Sequence, residues 1–330
     1  MVRVLVAGKV HPDGLALLQR PDVELDYVEE VSAASYRPYL KDADAILIRT
    51  QPLSGEFIAE APNLKIVSRH GVGYDAVDVK ALNRRGIPLA VVGDVNSRAV
   101  AEHAIMLMLA AARRTVLFDR KTRNGEWNYR NSLDMDELDG RSLFVVGFGR
   151  IGRRVAQIGI ALGMDVSAHD SFQSDDAIEA QGVRAVRELA GGLREADVVS
   201  LHVPKVGDHA LIGQDELMLM KRSAILINTA RGGLIDEQAL ADALNQGRIA
   251  AAGLDVFEDE PPTGNSPLLG CERAILSPHN AGLTTACARR MAIAAAQNIL
   301  DHFSGALDPS LVVNHGDIAK ETAPTVGALR

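Results

Sequence analysis

Short β-branched runs of strand length alternate along this chain with stretches of helical or turn character. Residues 2–8, 23–28, 43–49, 64–69 and 87–92 are such runs, and His11 to Gln19 and Ala76 to Arg85 lie among the helical stretches between them. That alternation predicts a parallel α/β domain. Residues 100–114 are nearly all apolar and rich in strong helix formers, which predicts a buried helix linking two domains. Residues 115–140 are polar and mixed and read as a long connection carrying the only tryptophan, Trp127, near Tyr129. An aromatic in such a connection is expected to pack against a subunit partner. From Ser142 the strand and helix rhythm resumes. Strands are predicted within 142–146, 164–169, 183–186, 196–204, 223–230, 249–257 and 273–279, with helices at Arg150 to Leu162 and Asp236 to Asn245. A last helical run, Thr285 to Phe303, is expected to return to the first domain, because residues 307–314 are too few to form another. The reading is two doubly wound parallel sheets with a cleft between them: a discontinuous domain of residues 1–98 and 286–330, and a second of residues 99–285. Residues 315–330 lack a periodic pattern and are expected to be loosely held.

Composition narrows the classes. The chain has 330 residues, 47% of them hydrophobic, which is ample for two packed cores. A net charge of -8 without a basic run argues against a nucleic-acid surface. The apolar start is too short for a secretory segment and residues 100–112 are too few to span a bilayer, so a cytoplasmic protein without membrane contact is expected. Cys271 and Cys287 have neither CxxC spacing nor regularly placed histidines around them, so no disulfide framework and no metal site is predicted.

Candidate chemistry gathers after the strands. The run SLFVVGFGRIG breaks from an apolar strand into Gly147, Gly149 and Gly152 and then into a helix, and the next strand ends at Asp170. Strand, turn, helix, strand and acid in that order read as a dinucleotide cradle: a tight turn, a close approach to a pyrophosphate, a close helix, and a carboxylate for a ribose. The acid is expected to repel a 2′-phosphate, which favours NAD while leaving NADP possible. Further along, an arginine (Arg231), a glutamate (Glu260) and a histidine (His279) follow successive strands of the same predicted sheet. Each alone has a bland reading: a surface ion pair, a charge before Pro261, a core histidine. Together on a cofactor-facing edge they suit a 2-keto acid, whose carboxylate an arginine fork holds while a histidine beside a carboxylate protonates the carbonyl oxygen. Arg49 and Arg69 end two strands of the first domain and are expected at its carboxyl edge, where two cations invite a second anionic group on the substrate. For either arginine, and more for Arg49 than for Arg69, the competing reading is an ion pair with a local acid such as Asp75 or Asp78.

Residues 69–79 (RHGVGYDAVDV), 96–104 (NSRAVAEHA), 147–153, 227–240 (INTARGGLIDEQAL), 253–262 (GLDVFEDEPP) and 277–285 (SPHNAGLTT) together resemble the D-isomer-specific 2-hydroxyacid dehydrogenases over nearly the whole chain. Within that family the pattern is most similar to D-3-phosphoglycerate dehydrogenases and hydroxypyruvate reductases. The resemblance implies a flavodoxin-like substrate domain, a Rossmann NAD(P)-binding domain and a homodimer. It also implies a catalytic triad of Arg231, Glu260 and His279, with substrate held by the backbone of Gly71, Val72 and Gly73. Cofactor contacts are implied for Gly147, Gly149, Arg150, Ile151, Gly152, Asp170, His202, Val203, Pro204, Thr229, Ala230, Arg231, Asp255, His279 and Gly282. Related formate dehydrogenases carry glutamine where Glu260 stands, so formate is not the expected substrate. Ala99, Asn280 and Ala286 depart from the family pattern without removing a catalytic group. The length does not accommodate the extra regulatory domains of many phosphoglycerate dehydrogenases. Corepressors similar to these enzymes keep the fold and the triad, so a cofactor-sensing binding protein is the alternative function.

Overall fold

The computed structural model describes residues 1–30, 32–205 and 207–321. The chain divides into two compact units, one of residues 1–96 with 284 onward, the other of residues 97–283.

In the first unit the apolar runs become β1 (Val2–Ala7), β2 (Val23–Val28), β3 (Ala45–Ile48), β4 (Ile66–Arg69) and β5 (Leu89–Ala90). They form one parallel sheet in the order β2-β1-β3-β4-β5, the flavodoxin-like doubly wound arrangement. All four residues of β3, Ala45 to Ile48, are buried, as expected for a strand covered by helices on both faces. One face packs Leu5, Ile46, Ile48 and Val67 against Tyr36, Leu40, Ile58 and Leu82. The Thr285–Ser304 helix lies across β4, where the buried hydroxyl of Ser68 donates to the Ala295 carbonyl at 2.8 Å and Asn298 Nδ2 to the Val91 carbonyl at 3.1 Å. Thr284 caps that helix and Gly305, at φ 75°, ends it. The loosely held tail expected from His315 is corrected in part. His315–Glu321 is a helix, anchored by the buried Asn314, whose side chain bonds Leu89, Asn83 and Ile87. Side-chain anchoring rather than apolar periodicity holds it, which is why the pattern did not show it. Residues 322–330, the rest of that expectation, lie outside the described residues.

The second unit has β6 (Ser142–Val146), β7 (Asp165–His169), β8 (Arg184–Ala185), β9 (Val198–Leu201), β10 (Ile225–Asn228), β11 (Ala251–Leu254) and β12 (Ala274–Leu276). Their order, β12-β11-β10-β9-β6-β7-β8, is the Rossmann pattern of two halves wound outward from β6. The Ser97–Ala112 helix buries Ala101, Ala104, Leu107 and Met108 in this unit's core. Residues 115–140 are more regular than their polar composition suggests. They hold a Thr115–Arg123 helix, supported by an Asp119–Arg123 pair one turn apart and by Phe118 edge-on to Tyr129 at 5.3 Å. No helix among the described residues is long and apolar enough to cross a membrane.

Candidate active site

Ligands of doubly wound sheets bind beyond the carboxyl ends of the strands, and in the second unit β6 runs there straight into Gly147. Its φ of 95° is one that glycine reaches without steric cost. The Arg150–Ala161 helix starts at once, with Gly149 as its N-cap and no side chain bonded to its first amides, so Arg150 and Ile151 open the positive end of a helix dipole. A Cβ on Gly152 would stand 1.9 Å from the Gly147 carbonyl oxygen, whereas one on Gly149 would meet nothing within 4 Å. Gly152 lets the helix close onto the strand; Gly149 keeps open the space that a pyrophosphate needs. Asp170, just past β7, accepts from the Phe148 amide at 2.7 Å and from the Phe172 and Gln173 amides at 2.7 and 3.1 Å. The carboxylate is thereby tied to the glycine turn.

On the other side of β6, His202 follows β9, and Val203 and Pro204 continue its loop. The His202 Nε2 lies 2.8 Å from the Ser200 hydroxyl, and burial pulls the ring down to about 3, so it is neutral. Its Nδ1 and the Thr229 Oγ1 are buried and have no partner among the described residues. Buried polar atoms are rarely left so unless something else satisfies them. An uncapped helix start with open space, an acid at the neighbouring strand end and two orphaned polar atoms fit a bound dinucleotide. Gly147 to Gly152 would hold its pyrophosphate, Asp170 a ribose, and His202 to Pro204 with Thr229 and Ala230 the remainder.

The arginine, glutamate and histidine singled out in the sequence follow β10, β11 and β12. Asn228, 2% exposed, accepts from the Ala230 amide at 3.0 Å and donates to the Arg231 carbonyl at 2.8 Å, closing the turn that carries the arginine. A Cβ on Gly232 would lie 1.6 Å from the Phe257 carbonyl oxygen, so only glycine lets this turn rest on the loop after β11. Glu237 fixes that loop by accepting from the Glu258 amide at 2.7 Å and the Ser266 hydroxyl at 3.4 Å. Within it, Glu260 accepts from the Phe257 amide at 3.1 Å and from His279 Nδ1 at 2.6 Å. A carboxylate only accepts, so Nδ1 carries the proton and Nε2 is the ring's other polar atom. Burial works against the charge of Glu260. The hydrogen bond and charge of His279, the Phe257 amide and the charge of Arg231 outweigh it and hold the carboxyl below its ordinary range. The structure thus brings Arg231, Glu260 and His279 together.

Asp255, implied as a cofactor contact, also has structural partners within the chain. Its side chain is 1% exposed. Its oxygens accept from the Ser277 hydroxyl at 2.6 Å and from the Asn280 and Ala281 amides at 3.0 and 2.9 Å. It shapes the turn that presents His279 and then Gly282. Sequence reasoning passed over Asn228 and Ser277 in this supporting role, although both lie inside quoted motifs, because a bonded partner leaves no trace in spacing.

In the first unit, Arg69 ends β4 beside Ile48, its register partner on β3, and Arg49 follows Ile48. Arg69 Nη1 donates to the His70 carbonyl at 2.9 Å and Arg49 Nη1 to the Lys9 carbonyl at 3.3 Å. Burial first, then the charges of Arg49 and Arg69, pull the buried His70 ring down to about 4. The charges of both guanidinium groups thus reach one neutral ring at this carboxyl edge. Asp78, weighed as a partner for Arg49, caps the Val79–Arg84 helix through the Ala81 amide at 2.9 Å. Gly71, Val72 and Gly73 follow directly, and the Val72 and Gly73 amides donate to no acceptor among the described residues.

The model of the D-isomer specific 2-hydroxyacid dehydrogenase NAD binding domain matches residues 105–281. The chain is 39% identical over 318 residues to a glyoxylate reductase of Korarchaeum cryptofilum, covering 94% of this chain and 95% of that protein. It is 36% identical over 323 residues to a D-3-phosphoglycerate dehydrogenase of Methanocaldococcus jannaschii, covering 97% of this chain but only 61% of that protein. The crystal structure of an NADPH-dependent glyoxylate/hydroxypyruvate reductase from Sinorhizobium meliloti superposes with a TM-score of 0.82 at 31% identity, covering 92% of this chain and 95% of that one. With a domain match over more than half its length and full-length relatives of this identity, the chain belongs to the D-isomer specific 2-hydroxyacid dehydrogenases, NAD(P)-dependent oxidoreductases of 2-hydroxy and 2-keto acids.

Proposed function

We propose that this enzyme interconverts a 2-keto acid and its D-2-hydroxy acid where the substrate carries a second polar or anionic group, of the hydroxypyruvate or 3-phosphohydroxypyruvate type. The bound nicotinamide supplies or accepts the hydride. Arg231 holds the substrate carboxylate with its planar fork. His279 gives the Nε2 proton to the carbonyl oxygen during reduction and takes it back during oxidation, while Glu260, bonded to Nδ1, offsets the imidazolium charge. Asp170 favours NAD over NADP, because its fixed charge disfavours a 2′-phosphate. The unpaired thiols Cys271 and Cys287 are buried, which supports a reducing, cytoplasmic setting.

What supports the substrate class is that two cations, Arg49 and Arg69, stand at the ends of adjacent strands on one sheet edge, and the charges of both lower the His70 ring. The glyoxylate reductase of K. cryptofilum, matched along 95% of its length, favours a second reading with a substrate lacking any such group. Steady-state kinetics of Arg69→Ala separate the two. A charge-assisted contact is worth about 1.5–3 kcal/mol, so the variant loses on the order of tenfold to a hundredfold in kcat/KM toward 3-phosphohydroxypyruvate and much less toward pyruvate or glyoxylate. Equal losses, or a wild-type preference for glyoxylate or pyruvate, contradict the second-anion reading.

A further inference from the structure

Behind the turn that carries His279 runs a chain of half-buried hydrogen bonds that begins on a different element, the Ser97–Ala112 helix. Asp255 Oδ1 lies 2.6 Å from the Ser277 hydroxyl, and since a carboxylate only accepts, the serine gives its single proton there. Toward His103 Nε2, 2.9 Å away, the same hydroxyl can then only accept, so the histidine is the donor. The sequence of donors is His103 to Ser277 to Asp255, with His103 Nε2 also 3.5 Å from Asp255 Oδ1, and Asp255 in turn receives the Asn280 and Ala281 amides. The backbone carbonyls of Asp255 and Ser277 accept from the His279 amide at 2.8 and 3.1 Å. His279 itself has a φ of 47°, a left-handed conformation that a histidine keeps only where its surroundings impose it. The His103 side chain is 16% exposed, so its place in this chain is fixed by packing as well as by bonding.

We propose that His103 is a positioning residue for His279, acting through Ser277 and Asp255 to hold residues 277–281 in the backbone conformation in which the imidazole meets Glu260. The proposal rests on the reading of His279 as the proton donor. Without His103, the Ser277 hydroxyl loses its only donor from the helix, the grip on Asp255 slackens, and the His279 ring spends less time in register with the carbonyl oxygen. The pyrophosphate and ribose positions, Gly147 to Gly152 and Asp170, lie elsewhere and are spared, so NADH affinity changes little.

The test is steady-state reduction of hydroxypyruvate by wild type, His103→Ala and His103→Gln, with NADH affinity measured by fluorescence titration. Misplacement of a catalytic group costs about tenfold to a hundredfold in rate, so His103→Ala loses that in kcat while KM and NADH affinity stay within about threefold. His103→Gln, whose amide nitrogen reaches where Nε2 stands, recovers most of the loss. A wild-type kcat in His103→Ala, a kcat loss matched by lost NADH affinity, or no rescue by glutamine overturns the proposal. Should His103→Ala not fold, Ser277→Ala removes the hydroxyl that joins His103 to Asp255 and leaves only their 3.5 Å contact, and a kcat loss of at least several-fold is required of it. A wild-type protein that reduces no 2-keto acid overturns the proton-donor reading beneath it, a result distinct from active wild type with unaffected variants.

Discussion

Single side chains show most clearly what sequence conveys and what it leaves out. Arg231, Glu260 and His279 were legible because charge and chemistry single them out after successive strands, and the 2.6 Å contact between His279 and Glu260 joins two of them directly. Asn228, Asp255 and Ser277 were not legible as supports, since their roles depend on which amides and hydroxyls the fold brings within reach. His70 belongs with them: nothing in its motif announces that the ring is buried with no well-formed hydrogen bond to either nitrogen among the described residues. That burial has a consequence for stability. The unfolded chain takes up a proton on this ring near 6.5, whereas the folded chain holds it off until about 4. The unfolded state therefore binds more protons below pH 6.5, and folding stability is lost as the pH falls from there toward 4. The ring contributes about 2 kcal/mol of loss between pH 6.5 and 5, from about 1.4 kcal/mol per pH unit. Urea unfolding at both pH values measures it, and His70→Phe, which cannot titrate, flattens the difference. An equally steep pH dependence in that variant contradicts the assignment.

At the scale of elements, order and type could be read from the apolar runs, because continuous β-branched segments between helical ones have few other ways to be buried. The misjudged elements are the short ones held by polar contacts, the Thr115–Arg123 and His315–Glu321 helices. The glycine turn after β6 lies between these cases. Its spacing was visible, but the division of labour within it needed coordinates. Gly152→Ala drives a methyl group into the Gly147 carbonyl, 1.9 Å away, whereas Gly149→Ala enters open space. The first variant is therefore expected to lower the melting temperature or fail to fold. The second keeps the melting temperature and loses on the order of tenfold or more in NADH affinity, because its methyl group occupies the approach of the pyrophosphate. Thermal melts and NADH titrations of the two check this. A stable Gly152→Ala that binds NADH normally contradicts the packing argument, and normal binding by Gly149→Ala contradicts the cradle.

For the whole molecule, separate parts fall to the two sheets: Arg49, Arg69 and amides without acceptors among the described residues at the carboxyl edge of one, and the proposed triad and dinucleotide cradle at that of the other. Their surfaces carry a further expectation. Trp127 is 65% exposed and Leu133 89% exposed, with Val116 also outside, an apolar display that an isolated chain has no reason to keep. We propose that these residues meet a second copy, and light scattering at micromolar concentration is expected to give twice the 35.3 kDa chain mass, falling to one in Trp127→Asp. A wild-type monomer contradicts this. The central claim concerns turnover, and the most direct measurement is NADH oxidation with hydroxypyruvate by wild type and His279→Ala, with NADH affinity followed in parallel. The account predicts steady turnover by wild type and its abolition in His279→Ala, with NADH affinity preserved within about threefold, because the variant removes the proton donor and leaves the cradle intact. Wild type that binds NADH yet oxidises it with no 2-keto acid, as a cofactor-sensing binding protein does, or His279→Ala with near wild-type turnover, contradicts it.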